Sequence, residues 1–420
     1  MAPPYLTVSR QQPRLRTRTL TLTFIPGLPN DLAALILLFI PYSHHSRLKC
    51  VCKSWRLLFA SKSLISLRYK LLPPLRLSHL LCIFPEDPSI TSPCLFDPHN
   101  LAWCLLPPMP CNPHGYGLCN FTSIAVGPHL YILGGSLFDT RSFPLDIPCP
   151  SSSAFRFDFA TLSWESLSPM ITPRGSFACA AVPNSDKILV AGGGSRHTVF
   201  GAAGSNVSSV EMYDIGKDEW VALDGLPGFR AGCVGFFVGN GEDREFWVMG
   251  GYGNSRTISN VLPVDQYYRD AVVMELKNGG KWKEIGDMWE EGERGRLGKI
   301  VVLENEAWDA PAIYMLEKST IFRYHRTPNR WLKETSLPKK SSNDKSVGFV
   351  ALNGELHVMT ALNGTNLTQR QSSRQQHKRP ATLLTQIYHP KKKLWRSFTT
   401  KSPFHLPLDF STAILCTVRL

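Results

Sequence analysis

Nothing in the first hundred residues is built to cross or pass through a membrane. The nine consecutive apolar residues Leu32–Ile40 would rise roughly 14 Å as a helix, about half of a ~30 Å bilayer core. A secretory leader is not expected either. Arg10, Arg14, Arg16 and Arg18 precede the run, but Pro26, Pro29 and Asp31 interrupt the approach. His44-His45-Ser46-Arg47 stands where small residues would mark cleavage. Residues 1–23 hold no carboxylate and read as a disordered basic arm, a bias that organelle transit peptides share. The eleven cysteines are odd in number and fall into no compact paired framework, which excludes a disulfide scaffold. Reduced thiols in the cytoplasm or nucleus are expected, and sequons such as Asn206-Val-Ser are then chance occurrences. No serine–histidine–acid arrangement, paired carboxylate or Walker-type loop stands out.

Acidic residues are scarce at the end of the chain. Residues 318–420 carry 18 basic side chains against 4 acidic ones, whereas 150–317 carry 15 against 23 and 1–149 carry 13 against 6. A basic face of this kind could attract nucleic acid or an acidic protein. What the chain does have is ordinary globular material, 43% hydrophobic and 19% charged, with 31 Gly and 32 Pro that point to many turns and a mainly β fold. At 420 residues there is room for more than one domain.

The tryptophans reveal a repeat. "FDPHNLAW", "FDFATLSW", "YDIGKDEW", "ELKNGGKW", "YHRTPNRW" and "YHPKKKLW" end at Trp103, Trp164, Trp220, Trp282, Trp331 and Trp395. In five of the six an aromatic residue stands seven positions before the Trp and is followed by Asp or His. The mean period is about 58 residues, in the range of solenoids and propellers. Between the tryptophans recur "HLYILGG" (129–135), "KILVAGGG" (187–194) and "EFWVMGG" (245–251), β-branched and aromatic runs stopped by paired glycines. Upstream of each lies a further apolar run, "FTSIAVG", "FACAAVP" and "CVGFFVG". Each period thus supplies four short strands, which describes a propeller blade.

The apolar-Gly-Gly element followed by aromatic-Asp-x5-Trp resembles the kelch repeat. Three copies are clear, at 119–168, 174–224 and 229–285. Two more, near 297–335 and 345–399, carry "AIYMLEK" and "ELHVMTA" where the glycine pair would stand. The first Trp element has one candidate strand before it, "HLLCIF" (79–84), and the chain ends with an unmatched strand in "FSTAILCTVRL" (410–420). Pairing the two completes a blade at 79–107 closed by 409–420. The expectation is a six-bladed kelch β-propeller over 79–420, with no exposed ring edge.

Ahead of it, "LPNDLAALILLFIPYSHHSRLKCVCKSWRLLFAS" (Leu28–Ser61) resembles an F-box: Leu-Pro, an apolar helix, Pro, a polar linker, then Val-Cys-Lys-x-Trp-Arg. The expected fold class is therefore mainly β, with a small α-helical F-box at 24–70. Two positions, Leu35 and Leu38, are apolar where the family often carries polar residues. The resemblance implies a helical hook that docks onto a Skp-type adaptor through Leu28, Pro29, Leu32, Ile36, Leu37, Val51 and Trp55. It also implies a propeller that binds a target protein. Together they imply a substrate-recognition subunit of a Skp–cullin–F-box ubiquitin ligase, with no cofactor and no catalysis of its own. The alternative is a propeller scaffold or nucleic-acid-associated protein using the basic C-terminal quarter.

Individual residues carry further expectations. Arg174, Arg230 and Arg294 or Arg296 recur just before the first strand of their blades, where they could grip a carboxylate or phosphate on a partner or bond neighbouring loops. The blade tryptophans are expected to pack between blades, and the glycine pairs to make turns. His44, His45, Cys50 and Cys52 bear metal-ligating atoms, as do Cys104, Cys111, His114 and Cys119, but neither spacing is that of a zinc site. No metal is expected.

Overall fold

In the computed structural model, residues 23–420 are described except 74–75, 87–91, 111–115, 143–147, 195–206, 259–261, 278–279, 290–296, 305–309, 341–345, 363–381 and 405–407. The N-terminal arm (1–22), the polar stretch 369–380, Cys111, His114, Arg294 and Arg296 lie outside the described residues.

Four helices come first: α1 (Asn30–Leu38), α2 (His45–Leu48), α3 (Lys53–Phe59) and α4 (Lys62–Leu71). The Ser61 hydroxyl caps α4 by accepting the Leu64 N–H at 3.3 Å. Leu37, Leu38, Leu58, Phe59, Leu64, Leu72 and Leu77 form the core they share.

Six four-stranded antiparallel sheets follow among the described residues. Blade two runs 122–126, 129–133, 154–158 and 163–167, and blades three to six repeat the same meander up to residue 401. Blade one is composite. Its strands His79–Phe84, Cys94–Asp97 and Ala102–Leu105 are completed by the C-terminal strand Ile414–Arg419, which pairs with His79–Phe84 along its whole length. The innermost strands of successive blades lie side by side around the full circuit, blade six against blade one included. One apolar cluster fills each gap between blades; Tyr131, Leu133, Phe177, Ile188 and Val190, for example, occupy the gap between blades two and three. The protein is a six-bladed β-propeller with an α-helical appendage.

The sequence period has a direct structural meaning. Phe96 lies opposite Trp103, Phe157 opposite Trp164, Tyr213 opposite Trp220, Tyr324 opposite Trp331 and Tyr388 opposite Trp395, so the seven-residue spacing is a cross-strand aromatic pair across a hairpin. Blade four, the exception in sequence, pairs Met274 with Trp282. The residue after the aromatic ties the turn: Asp97, Asp158 and Asp214 each accept two backbone N–H groups, and His389 Nδ1 accepts one. Two positions before every Trp the backbone is left-handed, at Leu101, Leu162, Asp218, Gly280, Asn329 and Lys393.

The indoles then reach backwards. Trp164 Nε1 donates to Pro107 O (3.1 Å), Trp220 to Ser168 O (2.8 Å), Trp282 to Asp224 O (3.0 Å) and Trp395 to Thr335 Oγ1 (3.1 Å). Each clips its blade to the one before it. Among the described residues Trp103 and Trp331 find no such acceptor. The glycine pairs clip forwards: Gly135 N–H donates to Arg174 O and Gly193 N–H to Arg230 O, both at 2.8 Å. A Cβ at Gly192 would come 2.3 Å from Arg230 O, and its φ is +69°, so only glycine fits there.

Candidate docking surface of the N-terminal helices

α1 is apolar on every side, and the fold covers only part of it. Ala33, Leu37 and Leu38 face the helical core. Leu32 (49% exposed), Leu35, Ile36 (53%) and Phe39 (60%) face solvent. Positions 32, 35, 36 and 39 are separated by one and two helical turns, so they form a single stripe. Val51 and Leu57 are also exposed on this small unit. Covering one such side chain is worth about 1.5–3 kcal/mol, which makes the stripe a strong site for an apolar partner.

The residues expected to contact an adaptor separate into two groups. Leu32, Ile36 and Val51 are exposed, Pro29 is exposed just ahead of α1, and Leu28 is half-buried beside it. Leu37 is buried and points inward, so its contribution is to the hook's own core. Trp55 is half-buried: its Nε1 donates to Phe24 O at 2.7 Å and its ring meets Phe59 edge-on. Leu35 and Phe39 join the stripe although the expected set did not include them; their spacing from Leu32 was the available signal.

His45 sits under α1, 2% exposed, between Tyr42 and Phe59, with Nε2 3.2 Å from Ile40 O. Burial, and then the neighbouring Arg68 cation, push its pKa down to about 3, so the ring is neutral. Cys52 caps α3 with its sulfur, accepting from Trp55 N–H. Among the described residues no group of three or more His, Cys, Asp or Glu could hold a metal ion.

The rim arginines are committed elsewhere. Arg174 is buried and its guanidinium donates to Gly192 O (2.9 Å), Ser209 O (2.7 Å), Ser209 Oγ (2.6 Å) and the Glu211 carboxylate. Glu211 in turn accepts the Ile171 and Thr172 N–H groups. Arg230 pairs with Asp270 at 2.8 Å, donates to Gly250 O and lies 4.0 Å from the Tyr268 ring centre. Both brace their own blades: all the Arg174 nitrogens donate within the chain, and Arg230 spends both Nη atoms on Gly250 and Asp270. The expected third member, Arg296, lies outside the described residues.

The hook and the loop elaborations occupy opposite faces of the wheel. The helices touch the turns at Gly127 and at Asp158–Phe159 of blade two. Extra strands emerge from the other end, directly after the glycine pairs: Ser136–Asp139 in a three-stranded sheet with Tyr116–Cys119 and Cys149–Pro150, and the hairpin Tyr252–Ile258/Leu262–Tyr267. In an antiparallel meander, alternate turns lie on alternate faces, so these elaborations crown the face away from the hook.

The sequence profile of the F-box domain matches residues 25–67, and that of the kelch motif matches 117–171 and 174–227. The chain is 58% identical to the F-box/kelch-repeat protein OR23 of Arabidopsis thaliana over 97% of its own length and 94% of that protein's. It is 29% identical to the F-box protein AFR over 66% of this chain and 67% of the relative, and 28% identical to the F-box/kelch-repeat protein SKIP20 over 63% and 67%, both also from Arabidopsis thaliana.

Proposed function

The chain belongs to the F-box/kelch-repeat family, and from that premise we propose that it is the substrate-recognition subunit of a Skp–cullin–F-box ubiquitin ligase. The α1 stripe docks on a Skp-type adaptor, and the crowned face of the propeller holds a target protein. The chain supplies no catalytic group. Its contribution is proximity: a target lysine held near a charged ubiquitin-conjugating enzyme meets it at high effective concentration. It works in the cytoplasm or nucleus, where its thiols stay reduced.

One observation carries the reading: three apolar side chains of a nine-residue helix, and Phe39 at its C-terminal cap, face solvent on a unit that leads into a closed propeller. The test is binding of purified Leu32→Asp and Ile36→Asp variants to a recombinant Skp-type adaptor. Each is expected to weaken binding at least a hundredfold while leaving the thermal unfolding of the propeller unchanged. Adaptor binding retained in both overturns the reading. Salt-sensitive RNA or DNA binding that survives these substitutions would favour the scaffold alternative, with the exposed Lys391, Lys392 and Lys393 as its contact.

A further inference from the structure

The end of α4 and the segment after it meet the last residues of the chain at one joint. Ser78 and Leu420 exchange backbone hydrogen bonds (2.7 and 2.9 Å), which extends the closing strand of blade one towards the helices. Arg68 of α4 is 1% exposed, and its guanidinium gathers three backbone carbonyls. Nη1 donates to Leu38 O and to Ile40 O (2.7 Å) at the end of α1, and Nη2 donates to Leu420 O at 3.0 Å. The neighbouring Tyr69 hydroxyl has one proton to give and lies between Gly127 O of blade two (2.7 Å) and Arg419 O of the closing strand. On the same side, Tyr42 O–H donates to Phe159 O (2.7 Å) and Tyr42 N–H to Ser78 Oγ (2.9 Å).

The joint sits on blade one, whose own tryptophan has no clip to the blade before it among the described residues. Blades two, three, four and six each hang an indole N–H on the blade before. Among the described residues Trp103 of blade one, which faces blade six across the closure, finds no such acceptor; Trp331 is the other exception, but it lies inside the continuous chain. Ring closure is also where the chain has no covalent continuity between neighbouring strands of one sheet. The seam therefore depends on strand pairing, on the Phe96, Phe398 and Phe410 cluster, and on whatever holds the last residues down.

We infer that Arg68 and Tyr69 are positioning residues that lock the F-box onto the ring-closing strand, so that the orientation of the adaptor hook and the closure of the propeller are one cooperative unit. A buried guanidinium cannot release one of its carbonyls without leaving the others short of a donor, so loosening of either part is felt by the other. Such coupling is reciprocal: a partner that steadies α1 also steadies the closing strand. In a ligase receptor this fixes the hook relative to the face that holds the target, which is what proximity requires.

The experiment is hydrogen exchange by mass spectrometry on the full chain, comparing the wild type with Tyr69→Phe, Arg68→Met and Arg68→Lys. Tyr69→Phe and Arg68→Met are expected to speed exchange at least tenfold in peptides from 414–420 and from 36–40 together, with peptides of blade three unchanged. Arg68→Lys, which keeps a buried cation near the carbonyls, is expected to restore part of the protection. Loosening of one peptide set without the other overturns the inference, as does unchanged exchange in both. If Arg68→Met does not fold, Tyr69→Phe, which loses a single hydroxyl, decides the matter alone. A second arm rests on the adaptor reading: saturating Skp-type adaptor should slow exchange at 414–420 in the wild type. Adaptor that binds without that protection counts against the coupling, whereas adaptor that does not bind counts against the proposed function and leaves the result of the variant arm standing.

Discussion

The hook and the wheel are built from similarly apolar sequence and treat it in opposite ways. In the wheel, "HLYIL" and "KILVA" bury every residue after the first, because each strand has a neighbouring blade above and another below. In the hook, "NDLAALILL" buries three of its residues, because a helix in a four-helix unit has neighbours on one side only. Apolar density reports how much burial a segment wants. The number of neighbours the topology supplies decides how much it gets, and the shortfall marks the place for a second chain.

The largest expected effect that would sharpen this contrast lies in the wheel. Arg174→Met strands the buried Glu211 carboxylate without its cation and should cost about 3–5 kcal/mol in thermal or denaturant unfolding. Phe39→Ser, in the exposed stripe of the hook, should change stability by less than about 0.5 kcal/mol in the same assay. An equal loss from both would erase the distinction between internal strut and docking face.

A middle-sized effect cuts across the two regions. His45 in the hook and His357 in blade six are both buried, and burial, followed by a nearby arginine, lowers each pKa to about 3. The unfolded chain takes up these protons near pH 6.5 and the folded chain only near 3. Their stabilising contribution is thus intact above pH 6.5 and is lost as the pH falls through that window. At pH 5 the loss is about 2 kcal/mol for each histidine, and His357→Gln should reduce the pH dependence of the melting temperature between 7 and 5. A pH profile that stays flat in the wild type would contradict the buried neutral rings.

The smallest effect separates two tryptophans that look alike in sequence. Trp220→Phe loses the bond to Ser168 O, whereas Trp331→Phe removes an indole N–H that finds no acceptor among the described residues. The first should cost about 1 kcal/mol more than the second in chemical denaturation. Equal costs would mean that the backward clips add nothing to ring stability.

Much of the fold was legible because its signals are local. The aromatic-x6-Trp spacing is the geometry of a two-stranded hairpin, and Gly134 and Gly192 stand where a Cβ would meet the backbone leading into the next blade within 3 Å. The Leu-Pro and Val-Cys-Lys-x-Trp-Arg anchors likewise sit within 34 residues of one another. The candidate site was legible in part. That α1 holds more apolar surface than a small unit can cover follows from its composition, but which residues face outward does not: Leu37, expected at the adaptor, is buried, while Leu35 and Phe39 are exposed. Arg174 and Arg230 are visible in the sequence as recurring positions, but their acceptors lie 18–40 residues further on and are visible only in the fold.

The sequence by itself determined the repeat, the blade chemistry and the presence of an apolar hook, because hairpins, turns and short helices depend on residues within about ten positions of one another. Only the tertiary structure decided which side of the hook stays bare, that the rim arginines are spent inside the blades, and that Arg68 and Tyr69 fasten the helices to Arg419 and Leu420 across some 350 residues of chain. Contacts that far apart in sequence leave no periodic trace; they exist only once the ring has closed and brought the two ends together.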